Sequence, residues 1–268
     1  MAQHPKASIR FDTIGSKEKA VAIIEVPMNL VGHGEEIALQ LMKENKRVKS
    51  VLQKLGEREG VERLRKYRLL AGDSDTEVTH REHGYVLKVD PQKVYFSQRE
   101  STERQRIADQ VKEGETVLVM FSGVAPFAIA IAKKKNVKKI VAVEINRAGT
   151  DYAKTNIALN KMKDKILAIE GDVRTACEPW YGEFDRVIMP LPKSSEDFLD
   201  IAVKCLKPVG GYIHFYSWGR DPAIFENAEL AVKEKMAELG KNYEIVNRRI
   251  VLPYGPHTNK VCLDLKVS

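Results

Sequence analysis

The stretch Val117–Glu144, VLVMFSGVAPFAIAIAKKKNVKKIVAVE, decides the fold. It opens on a continuous apolar run, Val117 to Phe121, short enough to be a strand buried on both faces. A tight turn carrying Gly123 follows, and Ala125–Ala132 reads as a helix of small residues. A second apolar run, Ile140–Val143, ends on Glu144. Strand, glycine turn, helix, strand and terminal carboxylate make the opening unit of a nucleotide-binding α/β sheet. Glycine lets the backbone approach a ligand, and an acid roughly 20 positions on can accept hydrogen bonds from both ribose hydroxyls. An ordinary βαβ unit would read the same over this stretch, with Gly123 only turning the chain and Glu144 a solvated strand end. The surrounding chain has to decide.

Downstream, strands near 116–121, 139–144, 166–170, 184–190, 211–218, 243–250 and 260–266 alternate with helices near 103–112, 125–135, 148–158, 196–205 and 223–239. Seven strands with interleaved helices predict an α/β, doubly wound sheet. Upstream the texture changes. Ala20–Val26 reads as a strand ended by Pro27, Glu35–Lys46 as an amphipathic helix, and Val48–Leu52 as a further strand. Val78–His80 and Tyr85–Val89 flank a turn at Gly84 and predict a hairpin. This pattern implies a smaller α+β domain on an antiparallel or mixed sheet over 1–92, followed by the nucleotide-binding domain over 93–268. Between them lies KVYFSQRESTERQRIADQV, in which Ser101 or Thr102 can cap a helix whose buried side is Ile107, Ala108 and Val111. Glu103 suits the first turn of that helix, but Arg99, Arg104 and Arg106 crowd positive charge there and point to an anion or acidic partner.

Composition narrows the class. The 268 residues, 43% hydrophobic and 30% charged, can bury a sizeable core and do not resemble a disordered chain. No run approaches the ~18 apolar residues of a membrane span, and MAQHPKASIR lacks a signal peptide's apolar region, so a cytoplasmic protein is expected. Cys177, Cys205 and Cys262 form no CxxC pair, and the six histidines show no ligand spacing, which argues against disulfides and metal. The net charge of +7 leans toward a polyanionic partner, although lysine-rich surfaces also serve solubility.

The turn Ser122-Gly123-Val124-Ala125-Pro126 is not the GxGxxG of a dinucleotide site, which weakens an NAD-dependent oxidoreductase. A second acid, Asp172, follows the third strand in IEGDVR. One acid for ribose and another for an adenine amino group match methyltransferases that use S-adenosylmethionine, while Asp172 alone would serve equally as a helix N-cap. After the fourth strand comes Met189-Pro190-Leu191-Pro192-Lys193-Ser194, at the place where methyltransferases acting on ring nitrogens of bases carry an Asn-Pro-Pro-Tyr-like loop. Two prolines fix this backbone so that its carbonyls can be aimed.

These stretches, with RFDTIG, ERLRKYRLLAG, HREHGY, NIALNK, GDVR and RVIMPLPKSSEDFLD, run in order from about Arg10 to the end. Together they resemble the archaeal and eukaryotic tRNA guanosine-37 methyltransferases with a Rossmann-type catalytic domain. The resemblance implies S-adenosylmethionine as donor, no metal, and the tRNA anticodon loop as partner of a monomeric enzyme. It implies that Glu103 takes the proton from guanine N1, Arg63 stabilises charge on O6, Tyr95 holds the flipped base, and Pro190 lies in the loop beside it. Arg104, Phe121, Gly123, Val124, Ala125, Glu144, Ile145, Asp172, Val173 and Pro190 would surround the donor. Three departures stand out: Val119 where relatives carry Asp, Ala125 where they carry Gly, and Pro190 in place of the loop's Asn. By that resemblance the chain is also expected to lack the extra N-terminal domain that many archaeal members use to grip the tRNA elbow. The Pro-Leu-Pro loop resembles the wyosine-pathway subgroup, which methylates carbon 7 of 4-demethylwyosine and in some members also makes N1-methylguanosine. The aminocarboxypropyl transferase of that pathway, which lacks the TER and PLP signatures, and a non-catalytic RNA-binding protein are the alternatives.

Overall fold

The two textures of the sequence become two bodies. The computed structural model describes residues 11–60 and 64–268. One unit runs to Glu82 and resumes over Val86–Phe96, and the other comprises His83–Tyr85 and Ser97–Ser268.

In the N-terminal unit, β1 (Phe11–Gly15), β2 (Ala20–Ile24), β3 (Val48–Glu59) and β4 (Leu64–Gly72) form one sheet in that order. All five residues of β2, AVAII, are buried, as a central apolar strand requires. Helix α1 (Gly34–Glu44) crosses over between β2 and β3, which are parallel, and buries Ala38 and Leu41 against Ala22, Ile24, Val48, Val51 and Leu70. The sheet is therefore mixed, since β1 pairs antiparallel with β2 and β4 with β3. Strand β4 escapes a periodicity reading because LRKYRLLAG loads an edge strand with cations, of which Lys66 and Arg68 are exposed and Arg65 is half-buried. The hairpin β5 (Val78–Glu82) and β6 (Tyr85–Val89) forms where expected, turning on His83 and Gly84 with φ of 43° and 79°.

In the larger unit α2 (Ser101–Gln110) precedes a seven-stranded sheet. Its strands are β7 (Thr116–Val119), β8 (Lys139–Glu144), β9 (Ile166–Glu170), β10 (Arg186–Met189), β11 (Gly211–Arg220), β12 (Tyr243–Gly255) and β13 (Thr258–Val267). They lie in the order β12-β13-β11-β10-β7-β8-β9, with β13 antiparallel to both its neighbours and the rest parallel. The connecting helices are α3 (Pro126–Lys134), α4 (Arg147–Leu159), α5 (Val173–Ala176), α6 (Leu199–Cys205) and α7 (Glu226–Glu238). From β7 the chain winds outward through β8 and β9, then returns through β10 to the other side of β7. That reversal opens a crevice at the carboxyl ends of β7 and β10, where such sheets bind ligands. It is the doubly wound sheet expected from the sequence. Among the described residues no helix is long and apolar enough to cross a membrane.

Candidate active site

The crevice is lined by the turns that leave four strands. After β7 the backbone passes through left-handed conformations at Phe121, Gly123 and Ala125, with φ of 51°, 54° and 64°. Ala125 takes up the N-cap position of α3 in this strained state, which costs an L-residue roughly 1–2 kcal/mol and which glycine adopts freely. This is the conformation for which the expected glycine would be suited. Val119, the other departure, is fully buried at the end of β7. Val124 is also buried, and its carbonyl accepts from Asn156 Nδ2 at 3.2 Å, tying the turn to α4.

Glu144 ends β8 half-buried, and its carboxylate is fixed rather than free. Oε2 accepts from the Gly123 amide at 2.7 Å and Oε1 from the Asn146 amide at 2.8 Å. A Cβ at Gly149 would stand 3.0 Å from Glu144 Cγ, so glycine at that position makes room for the carboxylate. Ile145 beside it is exposed, and Asn146 caps α4 by accepting from the Gly149 amide at 3.3 Å. Asp172 is the N-cap of α5, accepting from the Arg174 amide at 2.9 Å, and Val173 is buried in the core. Phe121 packs edge-on against Phe198, with ring centroids 4.9 Å apart, and the Arg174 guanidinium lies 4.1 Å from the Phe198 ring centre.

A nucleoside donor fits these residues. The hydroxyls of Ser122, in the turn after β7, and Ser195, beyond the Pro190 loop, are buried and meet no hydrogen-bond partner among the described residues. Buried orphan hydroxyls are costly unless something else supplies a partner. The Glu144 carboxylate, anchored by backbone at the end of β8, stands beside this crevice.

The loop after β10 is held from behind. The ammonium of Lys260, a lysine only 3% exposed, donates to the Pro190 carbonyl at 3.1 Å and to Glu100 Oε2 at 2.9 Å. It lies 4.9 Å from the centre of the Tyr216 ring. One strand, β13, thereby fixes the Pro190 carbonyl.

Helix α2 supplies the charged part of the site. Neither Ser101 nor Thr102 caps it: the chain enters through a 3₁₀ turn over Gln98–Glu100, no side chain caps the helix, and Ser101 Oγ pairs with His83 Nε2 at 2.9 Å. Glu103 is 4% exposed, and Arg104, 2% exposed, donates to the Ser97 carbonyl at 3.1 Å. Glu103 receives Arg106 on both oxygens, Nε to Oε2 at 2.8 Å and Nη2 to Oε1 at 2.7 Å, and the Tyr216 hydroxyl on Oε1 at 2.5 Å. Three of its four lone-pair positions are taken among the described residues, leaving one on Oε2. The positive charge crowded onto this helix is thus answered largely from within. Arg106 turns to a second carboxylate, Asp264, with Nη1–Oδ2 at 2.5 Å, and Arg99 donates to the Pro253 carbonyl at 3.1 Å.

Behind Asp264 the network continues into the sheet. Asp264 Oδ1 meets His214 Nδ1 at 2.6 Å, His214 Nε2 meets Arg186 Nη1 at 2.8 Å, and Arg186 pairs with Glu115 at 2.8 and 3.1 Å. An arginine N–H can only donate, so Nε2 accepts and His214 is the neutral Nδ1–H tautomer. Burial accordingly holds the His214 imidazole below its ordinary range against the pull of Asp264. Burial pushes Asp264 up, yet its bonds to His214 and Arg106 win and hold it far below the usual carboxylate range. Burial also raises the Tyr216 phenol and the Cys262 thiol. His214, Cys262 and Asp264 lie close enough to share an ion. However, Asp264 also accepts from Gln110 and Asn247 at 3.0 Å each, and the adjacent guanidinium opposes a cation.

Of the other residues singled out in the sequence, Tyr95 belongs to the N-terminal unit and is 41% exposed, and Arg63 lies outside the described residues. Sequence reasoning missed Lys260, Asp264, His214 and Tyr216. The available signal was a polar residue inside an apolar strand run, as in VCLDLKV and YIHFY.

Comparison with known proteins agrees with this geometry. Residues 78–246 match the TRM5/TYW2 methyltransferase domain, and residues 3–76 match the TYW2 N-terminal domain. The tRNA (guanine(37)-N(1))-methyltransferase Trm5b of Pyrococcus abyssi is 37% identical over 258 residues, covering 96% of this chain and 74% of that protein. The tRNA (guanine(37)-N(1))/4-demethylwyosine(37)-methyltransferase Taw22 of Nanoarchaeum equitans is 32% identical, covering 84% and 87% respectively. The crystal structure of Pyrococcus horikoshii TYW2 in complex with MeSAdo superposes with a TM-score of 0.82 at 28% identity, over 96% of this chain and 90% of that one. The chain belongs to the TRM5/TYW2 methyltransferase family.

Proposed function

We propose that this protein methylates the purine at position 37 of tRNA, with S-adenosylmethionine as donor, acting as a monomer in the cytoplasm on the anticodon loop. The two nucleosides in view are guanosine, methylated at N1, and 4-demethylwyosine, methylated at carbon 7. The observation that carries the reading is the pairing, within one body, of a donor crevice built on Glu144 with a buried carboxylate, Glu103, that keeps one open lone pair. The donor supplies an electrophilic methyl group on a sulfonium. This chain's residues then bind and orient. Glu144 takes the ribose hydroxyls, Asp172 and Val173 flank the adenine, and Phe121, Gly123, Val124, Ala125 and Ile145 form the walls, with Arg104 supporting the site from α2.

Guanine N1 carries a proton and is a poor nucleophile until it loses it. Glu103 accepts that proton at Oε2 while Arg63 offsets the charge that develops on O6. Tyr95, on the N-terminal domain, stacks on the base once it has left the anticodon-loop stack. The N-terminal unit, which extends to Phe96, grips the RNA. The Pro190 loop lies between donor and base. Having no side-chain amide, it offers a carbonyl fixed by Lys260. That carbonyl suits a tricyclic base better than one whose edge calls for an amide.

Incubating the protein and labelled S-adenosylmethionine with tRNA bearing guanosine 37, and separately with tRNA bearing 4-demethylwyosine, tests the reading by mass analysis of the nucleoside. Label in neither would overturn it. Transfer of an aminocarboxypropyl group instead of a methyl would assign the chain to the other chemistry considered. Pro190→Asn is expected to raise the guanosine-to-demethylwyosine turnover ratio about tenfold, the worth of one well-placed hydrogen bond, and an unchanged ratio removes the loop from substrate choice.

A further inference from the structure

A base that shares both oxygens with a guanidinium should be a poor base, because the cation favours its charged form. The neighbourhood of Glu103 supplies the remedy. Arg106 is divided between two carboxylates: the bonds to Glu103 are matched by Nη1–Asp264 Oδ2 at 2.5 Å and Nη2–Asp264 Oδ1 at 3.2 Å. Asp264 is itself immobilised by His214, Gln110 and Asn247. The groups facing this cluster are few. On its own helix there is Arg106. From β11 come the Tyr216 hydroxyl and neutral His214, and from β13 come Cys262 Sγ, 3.4 Å from Arg106 Nη2, and Asp264. Arg186 of β10 stands behind His214 and is neutralised by Glu115, while Lys260 is neutralised by Glu100. At the exposed edge, Lys134 of α3 pairs with Asp109 of α2. The triad Glu103–Arg106–Asp264 therefore carries one net negative charge in a dry site.

We propose that Asp264 is a positioning residue for methyl transfer: it shares the Arg106 guanidinium with Glu103, so that the cation holds the carboxylate in place without being given wholly to it. The inference rests on Glu103 being the proton acceptor. Removing either partner should then move the acid limb of the turnover profile in opposite directions. Asp264→Asn leaves Arg106 wholly to Glu103, so the acceptor stays ionised to lower pH but is a weaker base. The limb should move about one pH unit down, with turnover at neutral pH falling roughly tenfold. Arg106→Met removes the cation, and the limb should move about one pH unit up. Arg106→Lys should restore most of the wild-type position.

The test measures single-turnover rates from pH 5 to 9 on whichever tRNA the wild-type protein methylates, with S-adenosylmethionine affinity by titration calorimetry as a check on folding. Opposite shifts with donor affinity within about threefold support the proposal. Limbs that stay put, or move the same way, overturn it. Glu103→Gln is run alongside: if that variant keeps its rate, the acceptor role of Glu103 has failed, whereas loss of its rate with unshifted limbs in the other variants isolates the failure to Asp264. Should Arg106→Met not fold, Asp264→Asn against Arg106→Lys carries the same contrast.

Discussion

The two polar regions of the larger unit are built on opposite rules. Behind α2, Glu103, Arg106, Asp264, His214, Arg186 and Glu115 form a buried network in which almost every donor meets an acceptor. At the crevice, the Ser122 and Ser195 hydroxyls are buried with no partner among the described residues, and Glu144 is half-buried and anchored by backbone amides. The contrast separates holding from receiving. Groups that position chemistry are satisfied within the protein, and groups that recognise a ligand are left short of partners.

If that division is right, mutations in the two regions should fail differently. The largest stability effect is expected at Arg186→Met, which strands Glu115 and disturbs His214. Breaking a buried pair by removing one partner costs about 3–5 kcal/mol, so thermal unfolding should show a fall of roughly 10 °C. A fall below about 2 °C would mean the network is not structural. Next comes Glu144→Ala in the crevice. Loss of charged hydrogen bonds worth about 1.5–3 kcal/mol should weaken S-adenosylmethionine binding some 10- to 100-fold by calorimetry, with the melting temperature falling less than in Arg186→Met although the Gly123 and Asn146 amides lose their acceptor. Equal losses of binding and stability would erase the distinction.

The smallest effect is on pH. His214 is neutral in the fold with its proton affinity lowered by burial, so the unfolded chain binds the extra proton first. Stability from this group is present above about pH 6.5 and is lost as pH falls below it, at up to about 1.4 kcal/mol per pH unit. His214→Gln should flatten the decline in melting temperature between pH 7 and 5, and an unaltered slope would place the acid sensitivity elsewhere.

The doubly wound sheet was legible in the sequence because buried parallel strands are apolar runs, and seven strands interleave with helices around the turn at Gly123 and the acid at Glu144, 21 residues on. The crevice followed, since its residues sit at strand ends whose positions the pattern sets. Two features resisted. The edge strand β4, with half-buried Arg65 and exposed Lys66 and Arg68 among its apolar residues, lacks the alternation that marks a half-buried strand. The Arg106–Asp264 contact joins residues 158 apart, and no local pattern announces a pair closed by tertiary folding. Arg106 was legible only as a misfit, a cation crowded near a helix start, and the misfit had an internal answer.

The division between holding and receiving meets at Glu103, which the network holds and which the proposed reaction uses. Glu103→Gln preserves its shape and removes its charge, so one variant measured twice tests the account. Single-turnover methylation of position-37 tRNA should fall at least about 100-fold, while S-adenosylmethionine affinity stays within about threefold. Retained turnover, or loss of donor binding in step with turnover, would contradict it.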